Sequence, residues 1–427
     1  MNSPSRQLRA LEATDADFAR AKALESTSFG VEWSAADFAK WCDPSRTVAA
    51  DVGGELAAIA HWYNAGHYLG GKLVPAIAVH SVSCRPEFRR QGHTAAVMTA
   101  VLDRARAEGN ALASLFPASH AFYSRLGFGP AGGFQTWEAP LDAVAAACAT
   151  PRSTPLLRMR AGREADWPAM RELYHDLAIQ HHGWLHRPGP FWDDWVPERW
   201  EKCWSVVLPA ATPTDPDALD GYAVVRQIPV TPRGYDLEIV ELLARSATAR
   251  SVLWSTVASA APLGRRVRWY GPPNDWLVAR LAEPSSARVV DSWGWSTTVL
   301  DTARAVVARG HNGVVGSCVV AIRPPRSSGR PLSAGQPLSA GQPLSAGHLG
   351  ADVETWRIEC DGRDVAASPS HAAADLHVAA TNWASIYMGW STAAEQLRDG
   401  LIEGNAASAN WLSALWTAPA PWLGLWF

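Results

Sequence analysis

The stretch VHSVSCRPEFRRQGHTAAVMTAVL, residues 79–102, constrains the fold most, because it predicts a buried strand that passes through a basic loop directly into a helix. The strand ends at Cys84, and the loop is Arg89-Arg90-Gln91-Gly92-His93. Gly92 allows a ligand to approach the backbone closely. The helix N-terminus offers unpaired N–H groups and the positive end of the helix dipole. Such a junction predicts either a pyrophosphate site, which the two arginines would strengthen, or a solvated strand-to-helix loop.

The elements around this junction predict an α/β block that ends near residue 148. Thr14 and Asp15 can cap an amphipathic helix at its start. The segment RTVAADVGGELAAIAHWYNA predicts a hairpin, because Gly53-Gly54 supplies the positive φ of a tight turn. The helix HTAAVMTAVLDRARAEG follows the basic loop, and ALASLFP and HAFYSRLGFGPAG then predict a strand, a short helix and a further strand.

A second block, residues 149–292, has the same order of elements. RMRAGREADWPAMRELYHDLA predicts a strand and a helix, DALDGYAVVRQIPVTPRGYDLEIVELLA predicts a hairpin, and ATARSVLWSTVASAA predicts a helix. The shared order therefore predicts a degenerate internal repeat.

A third block, residues 293–427, predicts an α+β domain. Its strands are GVVGSCVVAIR and VETWRIECDGRDVAA, and three helices follow them. Between the two strands the hexapeptide PLSAGQ recurs from Pro331 to His348. Proline, serine and glycine at that density cannot bury a core, so residues 324–349 are expected to form a flexible surface loop inside a hairpin.

The composition excludes several classes of function. A net charge of −3 without a run of Lys or Arg argues against a nucleic-acid or membrane-surface partner. Six scattered cysteines without a CxxC pair predict reduced thiols in a cytoplasmic protein and no structural zinc. The N-terminus lacks a signal-peptide core, and no stretch approaches the roughly 18 apolar residues of a membrane span. The 22 Trp, more than twice the 10 Phe, suggest an aromatic-lined cavity or interface.

Two motifs carry a resemblance to a known superfamily. The pattern Arg89-x-x-Gly92-x-Thr94 resembles the acetyl-CoA loop of the GCN5-related N-acetyltransferases (GNAT), Arg/Gln-x-x-Gly-x-Gly/Ala, with Thr94 as a departure at the last place. AFYSRLGFG looks like the final element of the same superfamily. The whole layout resembles the enhanced intracellular survival (Eis) family. The resemblance implies tandem GNAT domains, each a mixed sheet with flanking helices, and a sterol-carrier-protein-like α+β domain at the C-terminus.

The resemblance also implies the roles of particular residues. Tyr123 takes the position of the general acid that protonates the departing thiolate, and the carboxylate of Phe427 that of the general base. The acetyl-CoA contacts are expected from the strand end, the loop and the next helix start: Val82, Ser83, Cys84, Arg89, Arg90, Gln91, Gly92, His93, Thr94 and Ser119. The second block lacks the glycine loop, so one acetyl-CoA site per chain is expected.

Well-known members of the Eis family acetylate polycationic aminoglycosides and lysine side chains, and hold acidic groups in their pockets. Trp426 stands here at one such acidic place, and Glu32 is the acid nearest to the other. We therefore do not expect a polycationic substrate. Trp33, Trp62, Trp422 and Trp426, with Glu32, are expected to bind an aromatic or apolar small-molecule amine.

Other features are expected to be structural. His80 is expected to pack at its strand, His93 to point to solvent or phosphate, and Cys84 to be a small packed residue. The histidines of HHGWLH, residues 181–186, lack an acidic partner motif, so no metal is expected. The alternatives to the enzyme on an apolar amine are an aminoglycoside or lysine N-acetyltransferase and a silent scaffold or lipid-binding module. The resemblance further implies a homo-oligomer, typically a hexamer.

Overall fold

The computed structural model describes residues 6–149, 159–187, 189, 191–196, 200–210, 217–325, 343–344 and 353–424. These residues divide into two compact units. Unit 1 contains residues 6–131 and 295–419, and unit 2 contains residues 132–294 and 420–424. Within the described ranges, no helix is long and apolar enough to cross a bilayer.

The strands are β1 Arg6–Ala10, β2 Thr47–Val52, β3 Glu55–Leu69, β4 Lys72–Cys84, β5 Leu112–Leu115, β6 Gly129–Pro140, β7 Arg160–Ala161, β8 Cys203–Pro209, β9 Leu219–Thr231, β10 Gly234–Ala244, β11 Gly264–Gly271, β12 Arg288–Val299, β13 Gly316–Arg323, β14 Pro343–Leu344, β15 Glu354–Cys360, β16 Val365–Pro369, β17 Leu376–Ala379 and β18 Glu403–Gly404. The helices are α1 Asp15–Phe29, α2 Ala35–Trp41, α3 His93–Ala107, α4 His120–Tyr123, α5 Leu141–Ala147, α6 Trp167–Ala178, α7 Ala247–Ala258, α8 Thr302–Ala308, α9 Ala380–Met388, α10 Ala393–Arg398 and α11 Ala406–Trp416.

The first sheet of unit 1 has the order β14-β1-β2-β3-β4-β5-β12, and only its β4–β5 pair is parallel. Helix α3 covers one face, where Val97 and Val101 pack with Ile77 and Val79. Helices α1 and α2 cover the other face, which is called the α1/α2 face below. Because both faces of the sheet are covered, its central strands read as nearly continuous apolar runs, as the sequence predicted for β4.

Local sequence signals account for the turns and caps of this sheet. Gly53 and Gly54, with φ of 60° and 83°, form the predicted tight turn between β2 and β3. The Thr14 hydroxyl accepts a hydrogen bond from the Asp17 N–H at 3.2 Å and caps α1, as predicted.

Unit 2 contains the predicted repeat of this fold. Its strands have the order β6-β11-β10-β9-β8-β7, and β10 and β11 form a parallel pair. The chain passes through β7, α6, the antiparallel strands β8, β9 and β10, then α7 and β11. Unit 1 has the same order from β1 through α3 to β5, so the tandem arrangement is confirmed.

The third predicted block contributes a five-stranded sheet, β16-β15-β13-β17-β18, and helices α9 to α11. The segment VETWRIECDGRDVAA was predicted as one strand and is two, β15 and β16. Asp361 causes the break, because its carboxylate accepts the N–H groups of Arg363 and Asp364 at 2.8 Å and so forms a turn. The hexapeptide repeat lies outside the described residues except Pro343–Leu344, which pairs with β1, and the flanking β13 and β15 pair antiparallel as expected.

Candidate active site

The predicted strand–loop–helix junction is present, and it leaves the N-terminus of α3 uncapped. Arg90 and Gly92 have φ of 62° and 80°, and Gly92 is the N-cap residue, so no side chain caps the helix. A Cβ at Gly92 would have no atom closer than 3.9 Å, so the space beside it is open. An open, uncapped helix N-terminus is the geometry that binds anions.

The side chains of the loop are arranged around this helix end. Arg89, Arg90 and Gln91 are exposed. Arg89 donates to the Cys84 carbonyl at 3.4 Å, and Gln91 donates to the Glu87 carbonyl at 2.9 Å. His93 was expected to point to solvent or to phosphate. It is 7% exposed and packs edge-on against Phe88, so it does not point to solvent. Burial, and then the Arg6 charge, lower the pKa of His93, so its ring is neutral at pH 7.

Arg6 is a member of this site that the sequence did not indicate. Its Nη1 donates to the Gly92 carbonyl at 3.1 Å, which adds a third exposed guanidinium to those of Arg89 and Arg90. Arg6 lies on β1, 86 residues from Gly92, and carries no motif. Arg6 reaches the loop through the fold of the sheet, in which β1 pairs with β2.

Past Ala78, one edge of β4 pairs with no strand among the described residues, and it is called the free edge of β4 below. The parallel ladder between β4 and β5 ends at Ala78, paired with Ser114, although β4 runs on to Cys84. Ser81, with φ of 50°, lies where the register of β3 against β4 shifts. Backbone N–H and C=O groups without a strand partner need another partner. Val82, Ser83 and Cys84 therefore offer their backbone to an extended ligand beside β4.

The side chains at this strand end support binding rather than nucleophilic chemistry. The Ser83 hydroxyl is buried without a hydrogen-bond partner. Burial raises the pKa of the Cys84 thiol, and Thr94 at the start of α3 contacts it. A protonated thiol is a weak nucleophile, so Cys84 behaves as a packed residue.

Tyr123 lies in the core beneath α3. The Ser119 hydroxyl caps α4 by accepting the N–H of Phe122 at 3.3 Å. The Tyr123 ring contacts Phe122 and Phe128 in T-shaped geometry, with centroids 4.9 and 5.8 Å apart. Burial raises the pKa of Tyr123 to about 12. The phenol is therefore protonated at neutral pH and available as a donor.

The structure places the residues predicted to bind the amine in different environments. Glu32 is exposed, and Trp33 is half-buried against the cluster beneath α1 and α2, with its Nε1 unpartnered. Trp62, by contrast, is a core residue: it is 1% exposed beneath α3, with the Arg104 guanidinium 5.2 Å from its ring. Trp62 therefore has no face left for a substrate.

The predicted residues of the C-terminal segment are described only in part. Trp422 belongs to unit 2, where its ring contacts Trp184 at 5.3 Å and His181 at 6.2 Å. Trp426 and Phe427 lie outside the described residues.

A buried ion pair on the α1/α2 face also escaped the sequence analysis. His61 Nε2 lies 2.5 Å from Glu25 Oε1, and both side chains are buried. Burial alone would lower the pKa of His61. The contacts with Cys42 and Glu25 outweigh burial and raise this pKa to about 10. His80 stacks on His61 with centroids 5.5 Å apart, and burial and the His61 charge lower its pKa to about 3. The carboxylate of Glu25 is thus neutralised before any ligand arrives.

The matching junction in unit 2 differs from that of unit 1. The Ser246 hydroxyl caps α7 by accepting the Ala249 N–H at 3.1 Å, and no residue from 244 to 247 has a positive φ. Glu241, where β10 shifts register against β9, accepts hydrogen bonds from the buried Arg187 and from Tyr222. A capped helix without a glycine loop does not offer the anion site that α3 offers.

The Arg187–Glu241 pair should stabilise unit 2. We expect Glu241→Leu to lower the free energy of unfolding by about 3–5 kcal/mol, because it leaves the Arg187 charge buried without a partner. The control is Glu238→Leu on the same strand, whose partner Arg226 is more exposed, and there the loss should stay below about 1 kcal/mol. Urea denaturation measures both, and equal losses would contradict the role given to Arg187.

The histidines of HHGWLH pack in unit 2. His181 stacks on Trp184 with centroids 4.2 Å apart. Across the part of the chain that the structure describes, no three His, Cys, Asp or Glu side chains form a group that could hold a metal ion.

Comparison with known proteins agrees with this geometry. Two models described as acetyltransferase (GNAT) domains match residues 9–131 and 183–304, and a sterol carrier protein domain model matches residues 347–424. An uncharacterized N-acetyltransferase of Streptomyces griseus is 27% identical over 309 residues, 66% of this chain and 70% of that protein. One from Streptomyces avermitilis is 26% identical over 306 residues, with the same coverage.

Solved structures show the same fold over nearly the whole chain. A GCN5-related N-acetyltransferase from Anabaena variabilis has a TM-score of 0.83 at 18% identity and covers 99% of this chain and 100% of its own. Eis1 from Mycobacterium abscessus has a TM-score of 0.77 at 19% identity, with the same coverage. The chain is therefore an acyltransferase with two GNAT-fold acetyltransferase domains followed by a sterol carrier protein domain.

Proposed function

We propose that this chain is an Eis-type N-acetyltransferase that transfers the acetyl group of acetyl-CoA to the amine of a small molecule. The observation that carries the proposal is the free edge of β4, which leads past Gly92 into the uncapped N-terminus of α3. A ligand with an extended amide-bearing arm and a pyrophosphate matches both parts of this surface.

The residues present fit acetyl-CoA, which would supply an activated acetyl thioester when bound. Arg89, Arg90 and Gln91 are exposed beside the α3 N-terminus and would hold the phosphates, with the backbone at Gly92 and Thr94. Val82, Ser83 and Cys84 would pair through their backbone with the amide-bearing arm and would donate to the developing oxyanion.

Tyr123 would hold the proton that the departing sulfur needs. Its hydroxyl is protonated at neutral pH because burial raises the pKa of the phenol. Ser119, one turn earlier, fixes the start of its helix. The carboxylate of Phe427 is proposed to take the proton of the amine, directly or through a water, and this role is supported by the resemblance to the Eis family. A homo-oligomer, typically a hexamer, is proposed on the same ground. A cytoplasmic location is proposed from the six scattered cysteines, which fit reduced thiols.

The acceptor is proposed to be an aromatic or apolar amine rather than a polycation. The support is electrostatic, because both buried carboxylates of α1 are already paired, Glu25 with His61 and Asp17 with Arg9. Trp33, with an unpartnered Nε1, offers aromatic surface on that face, and Glu32 offers one exposed charge. Multiply charged substrates need several uncompensated carboxylates. Trp422 and Trp426 remain proposed aromatic contacts, whereas Trp62 is withdrawn.

A competition assay tests the choice of acceptor. Thiol release from acetyl-CoA is measured with arylalkylamines, aminoglycosides and a lysine peptide at equal concentration. The proposal expects the largest kcat/KM with the arylalkylamines. A larger kcat/KM with the aminoglycosides or the lysine peptide would overturn the acceptor class and leave the acetyl-transfer reaction standing.

The described interior of the third domain gives no support to the alternative of lipid binding. Trp383, Tyr387 and Trp416 are each at most 4% exposed, and Trp416 lies 5.5 Å from both of the other rings. The guanidinium of Arg309 lies among the same rings and donates to the Trp416 carbonyl at 2.8 Å. Side chains already occupy the space between α9 and α11.

Arg6 should contribute to cofactor binding. We expect Arg6→Ala to raise KM for acetyl-CoA about fivefold with little change in kcat, because it removes one exposed positive charge beside the phosphate site. Arg85→Ala is the matched control, since Glu55 and Glu87 already neutralise the half-buried Arg85. Steady-state kinetics at low salt measures both variants, and an equal rise in KM for the two would remove Arg6 from the site.

A further inference from the structure

Packing on both sides of the Tyr123 ring fixes the position of its hydroxyl. On one side the ring meets Phe122, its neighbour in α4. On the other side it meets Phe128, which is 3% exposed and whose N–H donates to the Tyr123 carbonyl at 3.2 Å. The position of the proposed acid therefore depends on what holds Phe128.

Helix α9 of the sterol carrier protein domain packs directly against the residues that follow Phe128. A Cβ built on Gly129 would lie 1.9 Å from the carbonyl oxygen of Thr381, so only glycine fits there. The buried hydroxyl of Ser385, one turn further along α9, donates to the Pro130 carbonyl at 2.7 Å. A backbone approach this close fixes the start of β6 against the helix.

The turn before Phe128 is held from the same direction. Gly127 has φ of 87°, and a Cβ built there would lie 2.9 Å from Thr298 Oγ1 and 3.6 Å from the Cβ of Ala380. Ala380 is the first residue of α9. Residues 127–130 are thus held by α9 and β12 within unit 1.

We propose that α9 is a positioning element for Tyr123, in which Thr381 and Ser385 hold Gly129 and Pro130 and thereby keep Phe128 against the Tyr123 ring. This inference rests on the proposed function, because it assigns Tyr123 as the acid. It gives the sterol carrier protein domain a part in catalysis that involves no lipid. This set of contacts between α9 and the start of β6 is called the clamp below. Displacement of a reacting group by about 1 Å can cost about a hundredfold in rate, so loss of the clamp should have a measurable effect.

Two variants of the full chain test the clamp by steady-state kinetics. Ser385→Ala removes the hydrogen bond to Pro130 and should lower kcat about fivefold, the factor that one neutral hydrogen bond is worth. Gly129→Ala must push α9 and β6 apart and should lower kcat about a hundredfold. KM for acetyl-CoA should stay within about twofold of the wild-type value in both, because residues 89–94 are untouched.

A matched control and a double variant separate positioning from general stability. Asn382→Ala, on the same helix, removes a hydrogen bond to Gln396 at 2.9 Å and should lower Tm without lowering kcat. In a Tyr123→Phe background, Ser385→Ala should lower kcat no further, because the group it positions is gone. Unchanged kcat in both single variants, or a fully additive loss in the double variant, would overturn the clamp.

A measurement that requires no turnover distinguishes failure of the clamp from failure of the proposed function. With 3-fluorotyrosine at position 123, Ser385→Ala should shift or broaden the ¹⁹F resonance, and Asn382→Ala should leave it unchanged. If the wild-type protein acetylated no amine, the proposed function would fail while the ¹⁹F comparison still judged the clamp. An unchanged resonance in Ser385→Ala would refute the clamp even in an active enzyme.

Discussion

Tyr123→Phe should lower kcat by about two to three orders of magnitude with little change in KM for acetyl-CoA, since general acids contribute about 10²–10⁴-fold. The substitution removes one oxygen and keeps the ring contacts with Phe122 and Phe128. Because these ring contacts are kept, the fold should persist. Thiol release and circular dichroism together measure the effect.

The pH profile gives a second check on Tyr123. Burial raises the pKa of the phenol to about 12, so the proton needed by the leaving sulfur is present throughout the neutral and mildly alkaline range. The acid form would be lost only as the pH rises through that value, so kcat should show no Tyr123-dependent fall below about pH 10. A loss of less than about threefold in Tyr123→Phe would show that water or another group protonates the sulfur.

Adding one glycine after Phe427 should lower kcat about a hundredfold. The extension replaces the Phe427 carboxylate by an amide and moves the negative charge one residue, by about 3.5 Å. A proton acceptor displaced by that distance can no longer reach the amine in the same pose. Thiol release at saturating acetyl-CoA measures the change.

Phe427→Leu is the control for the extension, because it keeps a carboxylate on the last residue and changes only the side chain. Its kcat should stay within about threefold of the wild-type value. Equal activity of the extended and unextended proteins would exclude the terminal carboxylate as the base. His80 would then be the first residue to test, because it lies just before the bulge of β4.

Local patterns were enough to predict the parts of the fold that depend on neighbouring residues. The turn at Gly53-Gly54, the cap at Thr14 and the passage from β4 through the loop into α3 all follow from residues within one element or one turn. The repeat in unit 2 was predicted from the order of its elements, because that order is read along the chain.

Long-range packing explains what the sequence could not show. Arg6 reaches Gly92 through sheet pairing, and His61 meets Glu25 across the interface between β3 and α1. Trp62 and Trp33 are the same residue type in the sequence, but Trp62 faces α3 and is buried completely. The contact between Gly129 and Thr381 joins residues 252 positions apart. None of these has a sequence signature, because each depends on how elements pack.

Thiol release from acetyl-CoA by the wild-type protein in the presence of an arylalkylamine, with mass spectrometry of the amine, tests the central claim most directly. The account predicts that the rate saturates with acetyl-CoA and that each thiol released accompanies one acetyl group on the amine nitrogen. The claim would be contradicted if thiol release with arylalkylamines, aminoglycosides and a lysine peptide were in each case no faster than the uncatalysed reaction.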